Sequence, residues 1–167
     1  MTDVTLRKPT KEDGAAVYEL VKSCKPLDEN SMYCNLIQCD HFADRCILAE
    51  VDGEIVGWIS GYILPDADDT FFVWQVAVGA KARGLGLGTR MLGALLDRDG
   101  HEHVNHLQTT ITADNDASWA LFRKFARSRG AEVTSERHFA KEDHFNGEHD
   151  CEHMVTLSFP AQLRAVA

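Results

Sequence analysis

The run FFVWQVAV at residues 71–78 leads, after a short connection, into RGLGLGT at residues 83–89. The first segment is an unbroken block of branched and aromatic residues, the composition of a strand buried in a sheet. The second places small residues at Gly84, Gly86 and Gly88 just before an amphipathic segment from about Leu85 to Asp97. That segment predicts a helix burying Leu87, Met91, Leu92, Leu95 and Leu96. A strand that passes through a glycine turn into a helix leaves the first helical N–H groups pointing outward, with no carbonyl to bond. A diphosphate placed there accepts charge-assisted hydrogen bonds and gains from the helix dipole, and Arg83 adds a cation. A dinucleotide-binding fold is disfavoured. The glycines run Gly84-x-Gly86-x-Gly88 and not GxGxxG, they follow the fourth strand, and no GxxxxGK[ST] occurs. The plainer reading is a softened loop capping a structural helix.

Upstream, Val4 to Arg7 reads as a first strand. Thr10 and Asp13 form a capping-box pattern for a helix through about Lys22, with Ala16, Val17, Leu20 and Val21 inward. After the loop CKPLDEN, Asn30 or Ser31 caps a second helix through about Cys39, for which Leu36 and Ile37 supply apolar anchors. Cys46–Val51 and Glu54–Ile63 flank Asp52-Gly53, a hairpin signal because the tight turn needs positive backbone angles. The acidic turn PDADD then leads to the 71–78 strand. Downstream come a strand near Leu107–Ile111 and a helix from about Asn115 to Arg127, with Trp119, Leu121, Phe122, Phe125 and Ala126 inward. Gly130 ends that helix. Strands near Ala131–Phe139 and Met154–Phe159 follow, separated by the polar stretch HFAKEDHFNGEHDCEH. The sum is an α/β fold, a mixed central sheet flanked by helices, with residues 1–167 as a single domain.

Composition narrows the function. A 44% hydrophobic and 26% charged chain is globular, not disordered. With 17 basic against 26 acidic residues and a formal charge of -9, it lacks the cationic footprint of a nucleic-acid binder. The opening MTDVTLRKPTKEDG has no apolar signal-peptide core, and no stretch is apolar enough to span a membrane. Five cysteines without a CxxC pair point to a reducing cytoplasm. His101, His103 and His106, and later His138, His144, His149 and His153, show neither structural-zinc spacing nor HExxH, so no metal is expected. No serine sits in a G-x-S-x-G elbow, which argues against a hydrolase.

Arg83, Gly86 and Gly88 resemble the R/Q-x-x-G-x-G/A signature of the GNAT N-acetyltransferase superfamily. Asn115-x-x-Ser118-x-x-Leu121-Phe122-x-x-Phe125 resembles that family's later coenzyme-lining segment, and the order β-α-α-β-β-β-α-β-α-β-β extends the likeness along nearly the whole chain. The resemblance implies a GNAT-like acyl-CoA fold and acetyl-CoA as cosubstrate. It implies coenzyme contacts from Val76, Ala77 and Val78, from Arg83, Gly84, Leu85, Gly86, Gly88 and Thr89, and from Asn115, Ser118 and Phe122. A backbone N–H in the Val76–Val78 stretch would hold the thioester oxygen as negative charge develops.

A closer likeness lies on the acceptor side. Pro26-Leu27-Asp28-Glu29-Asn30-Ser31-x-Tyr33-Cys34-x-Leu36, then His41-Phe42-Ala43-Asp44, resembles the PLDxNSxYxxL and HFADT segments of the L-2,4-diaminobutyrate acetyltransferases of ectoine biosynthesis, with Arg45 in place of the threonine. The strand Trp74-Gln75-Val76-Ala77-Val78 and the Glu148–His153 region are also similar. This resemblance implies acetylation of the γ-amino group of diaminobutyrate by a homodimer. Asp28, Tyr33, Trp74, Gln75, Glu152 and His153 become candidate acceptor contacts, with Glu152 or His153 as base. Arg45 and a backbone N–H are alternative partners for the substrate carboxylate. Local readings stay open: Asp28 as a loop or cap residue, Tyr33 as helix packing, Trp74 as core. Other functions remain too, namely a GNAT enzyme for another small amine or a peptide amine, or a non-catalytic acyl-CoA-binding sensor.

Overall fold

The structure, a computed structural model, describes residues 3–161. Its elements are β1 (Thr5–Arg7), α1 (Gly14–Ser23), α2 (Met32–His41), β2 (Ile47–Val51), β3 (Glu54–Leu64), β4 (Ala67–Val78), α3 (Leu87–Leu96), β5 (His106–Thr112), α4 (Asp116–Arg129), β6 (Glu132–Phe139) and β7 (Glu152–Ser158). The strands form one sheet in the order β1-β2-β3-β4-β5-β7-β6. β4 and β5 run parallel, while β1–β2, β2–β3, β5–β7 and β6–β7 are antiparallel, so the sheet is mixed as the sequence implies. No helix among the described residues is long and apolar enough to cross a membrane.

By internal contacts the chain divides into two compact units, Met1–Tyr62 with Val73–Arg98, and Ile63–Phe72 with Asp99–Ala167. In the first, β2 and β3 meet through Asp52-Gly53, whose φ angles of 51° and 78° are both positive. That is the backbone of a two-residue hairpin turn matched to strand twist. Gly57 and Trp58 alternate across β3. A Cβ on Gly57 would lie 2.9 Å from Met91 of α3, whereas Trp58 is fully buried with Val17, Leu20 and Val21 of α1. Hence α3 covers one face of this half of the sheet and α1 the other. The α1–α2 contact is close: a Cβ on Gly14 would stand 2.9 Å from Leu36 Cγ and 3.1 Å from its Cα. At the N-terminus, Thr10 N donates to Asp13 Oδ2 at 2.7 Å, the reciprocal half of a capping box, but a 3-10 turn over Lys11–Asp13 precedes the α-helix.

Two expectations need correcting here. The buried face of α2 is Asn35, Gln38 and Cys39, with Leu36 and Ile37 only half-buried. Periodicity scored by apolarity misses that face because two of its three residues are amides, which satisfy each other in part through Asn35 Nδ2 donating to Gln38 Oε1 at 3.0 Å. The PDADD segment is also less of a turn than it reads. Only Pro65-Asp66 separates β3 from β4, and Ala67–Asp69 already belong to the strand.

In the second unit the antiparallel ladders β5–β7 and β7–β6 run without a break except for a shift at Arg137/Phe139. Leu107 and Ile111 of β5 and Val155 and Leu157 of β7 are buried, as are Phe122, Phe125 and Ala126 of α4. Helix α4 closes at Gly130, φ 63°, where Ala131 N donates to Ala126 O at 2.9 Å. Strand β6 is exposed along its whole length.

Candidate active site

The donor side begins where β4 ends. Gly79 N donates to Val56 O at 2.8 Å and holds the strand end against β3. Then comes a 3-10 turn at Ala80–Ala82 anchored by buried Ala82, and Arg83, whose Nε donates back to Val78 O at 3.3 Å. Gly84 and Gly86 have φ of 82° and 68°, and Gly86 is the N-cap of α3. A side chain at either position would meet nothing within 4 Å. The left-handed backbone, not crowding, therefore demands glycine there, and the space outside the turn is open. The first α-helical bond is Arg90 N to Gly86 O at 3.1 Å, so the N–H groups of Leu87, Gly88 and Thr89 have no carbonyl within the helix. The first turn of α3 holds no acidic residue, and Arg83 and Arg90 are exposed beside it, while Lys81 pairs with Glu54 of β3 at 3.5 Å. In a chain of charge -9, this local cationic patch with free helical N–H groups fits a diphosphate.

The acceptor candidates gather around the loop between α1 and α2. Ser31 Oγ accepts from Cys34 N at 3.0 Å and caps α2, choosing between the two caps that the sequence offers. Asn30 is engaged elsewhere. Its Nδ2 donates to Gln75 Oε1 at 3.3 Å, while Gln75 Nε2 donates to the Asp28 carbonyl at 2.8 Å. The structure thus brings Asp28, Asn30 and Gln75 together. Trp74, the neighbour of Gln75 on β4, projects from the other face. It is 46% exposed and meets the half-buried Tyr62 edge-on at 6.2 Å, so it is not core. Burial pushes the Tyr62 phenol above its ordinary pKa. Tyr33 lies in the first turn of α2 and is 71% exposed, which excludes the helix-packing reading. The HFAD segment is fixed from α3's end, where Arg98 donates to the carbonyls of Asp44 and Cys46, each at 2.9 Å.

The remaining candidates lie in the second unit. Asn115 Oδ1 accepts from Ser118 N at 3.2 Å, so these two residues meet as an N-cap of α4, while Phe122 is buried in that helix's apolar face. Glu152 and His153 are successive residues of β7, half-buried, and their side chains leave opposite faces of the strand. His153 turns toward α4, with its ring 6.4 Å from that of Trp119; Trp119 itself donates Nε1–H to Thr112 O at 3.0 Å and lies under Arg123. Since Glu152 and His153 face apart, only one of them can serve a given acceptor nitrogen.

Sequence reasoning missed Asn30, Tyr62 and Arg98. The signal for Asn30 was its place inside the PLDENS run. Nothing local marks Tyr62 or Arg98, whose partners are distant in sequence. No group of three or more His, Cys, Asp or Glu able to hold a metal occurs among the described residues. All five cysteines are free, and burial pushes Cys39 and Cys46 up to about 12, which leaves them poor nucleophiles.

Residues 14–126 match the Acetyltransferase (GNAT) family. The chain is 49% identical over 154 residues to an L-2,4-diaminobutyric acid acetyltransferase of Methylotuvimicrobium alcaliphilum, covering 92% of this chain and 90% of the relative. It is 50% identical over 153 residues to that of Halomonas elongata, covering 91% and 79%. Among solved structures, the diaminobutyrate acetyltransferase of Paenibacillus lautus, in complex with L-2,4-diaminobutyric acid and coenzyme A, is similar with a TM-score of 0.90 and 34% identity, covering 95% of this chain and 96% of that one.

Proposed function

Because the chain belongs to the GNAT acetyltransferase family and, within it, to the L-2,4-diaminobutyric acid acetyltransferases, we propose that it transfers acetyl from acetyl-CoA to the γ-amino group of L-2,4-diaminobutyrate. The product is N-γ-acetyl-diaminobutyrate, and the step belongs to ectoine biosynthesis. One observation carries this reading: β4 is tied at Gln75 to the loop that bears Asp28, and the same strand runs on into the open glycine turn before α3. Donor and acceptor machinery are strung along adjacent stretches of one strand.

In this reading the diphosphate of acetyl-CoA sits over residues 83–89, and its pantetheine arm pairs with backbone groups of Val76, Ala77 and Val78. The family likeness also assigns coenzyme contacts to Asn115 and Ser118, and to Phe122, whose side chain is buried on α4. Asp28 meets an ammonium group of diaminobutyrate, Tyr33 and Trp74 form walls, and the γ nitrogen is held near the thioester carbon. Transfer is direct. The neutral amine forms the new C–N bond, a backbone N–H near Val76 receives the charge that develops on the carbonyl oxygen, and the C–S bond breaks. The departing coenzyme A thiolate takes the surplus proton from the acylated nitrogen, leaving a neutral amide. A free alkyl ammonium has a pKa of about 10, so a proton must first leave the nitrogen, and Glu152 or His153 takes it. Positioning supplies much of the remaining rate.

The acidic balance and the free cysteines support a cytoplasmic protein acting on small molecules, not on nucleic acid or membranes. The fully exposed strand β6 suits a homodimer, with the whole chain serving as one catalytic domain. The test is an acceptor panel at saturating acetyl-CoA. Diaminobutyrate should exceed lysine, other diamines and a peptide N-terminus in kcat/KM by at least tenfold. A better rate with another amine would move the assignment to that amine. Acetyl-CoA binding without transfer to any amine would make the protein a sensor.

A further inference from the structure

We propose that Gln75 is a positioning residue for the acceptor, acting through Asp28 and not by touching substrate. This inference rests on the acceptor reading above for the identity of the amine, but its geometry stands alone. The Asp28 carbonyl can only accept, so the Gln75 nitrogen must face it at 2.8 Å; the Gln75 oxygen then faces the Asn30 amide nitrogen at 3.3 Å. Both ends of the amide are engaged by protein. Gln75 is half-buried, on the face of β4 that it shares with core residue Ala77.

The loop it grips is also held toward its ends. Leu27 N donates to Cys24 O at 2.9 Å on one side, the Ser31 cap closes the other, and between them the Lys25–Glu29 ion pair is solvent-exposed. Such a pair adds little rigidity in water. Gln75 thus connects the middle of the loop to a strand, and it sits between Trp74 and Val76, two residues assigned to acceptor and donor. Its two bonds fix the distance from the Asp28 carboxylate to the backbone that holds the thioester. Asn30 is the second member of the clip.

Gln75→Ala and Asn30→Ala test this in the full chain, with two readouts. Hydrogen exchange at residues 25–31 should rise in Gln75→Ala by about tenfold, the loss of a hydrogen-bonded anchor, while exchange in the core strands rises no more than that and the thermal midpoint falls by only a few degrees. The KM for diaminobutyrate should rise by about the same factor, with KM for acetyl-CoA within about twofold of the parent, and Asn30→Ala should show a smaller change of the same kind. Gln75→Glu, which cannot donate to the carbonyl, should not rescue. If Gln75→Ala folds poorly, Asn30→Ala carries both readouts. Faster loop exchange with an unchanged KM for the acceptor would overturn the positioning role, as would unchanged exchange or equal increases in both KM values. Should the parent enzyme prefer a different amine, the acceptor reading fails by itself, and the same split is measured with that amine.

Discussion

In the proposed reading Gly86 serves the coenzyme and Asp28 the amine. At Gly86 the φ of 68° lies in a region that β-branched residues avoid, although the space beside it is open. Gly86→Val should therefore act by forcing the turn out of its left-handed backbone, at a cost of roughly 1–2 kcal/mol. It should raise KM for acetyl-CoA at least tenfold while leaving KM for diaminobutyrate nearly unchanged. Asp28→Asn should do the reverse. Steady-state kinetics with each substrate varied in turn checks both, and matching effects of the two substitutions on both substrates would contradict the division. Another single-residue expectation concerns acid. Arg7 donates to both oxygens of Asp13 at 2.9 Å and holds that carboxyl below the usual carboxylate range. A folded-state pKa below the unfolded one gives stability that is present above about pH 4 and is lost as pH falls through the folded value. Asp13→Asn should thus melt below the parent at neutral pH, and the two thermal midpoints should converge on acidification. A gap independent of pH would refute the pairing.

Among the elements, the α1–α2 contact is the tightest joint that a small change can probe. A methyl at Gly14 meets the Leu36 side chain and, at 3.1 Å, its Cα, which cannot swing away. Gly14→Ala should therefore destabilise by about 1–3 kcal/mol despite the better helix propensity of alanine, measurable by urea unfolding. Stabilisation would mean that the helices separate more easily than their packing implies. Most elements were legible because their signals are local. The Asp52-Gly53 hairpin, the five buried residues of α3 and the Gly130 stop each depend on neighbours in sequence. What was illegible depends on tertiary partners: the amide face of α2, the exposure of Trp74 within an apolar run, and the early start of β4 in an acidic segment. The glycine turn could be read from spacing alone. The Gln75 clip could not, because Asp28 and Gln75 are 47 positions apart. The opposed faces of Glu152 and His153 follow from β7 being a strand through both residues, where the sequence read loop at least to His153.

At the scale of the whole molecule, the proposed reading assigns the glycine turn to the coenzyme and the Asp28 loop to the amine, for a single acyl transfer. If an enzyme base takes the proton from the bound ammonium, kcat/KM for the acceptor should climb with pH and level off once that base is deprotonated, well below the pKa of about 10 of the free amine. The most direct measurement is coenzyme A thiol release from acetyl-CoA and L-2,4-diaminobutyrate, with NMR of the product to locate the acetyl group. The expected result is stoichiometric thiol release and acetyl on the γ nitrogen alone. Acetyl on the α nitrogen, or no transfer by protein that binds acetyl-CoA, would contradict it.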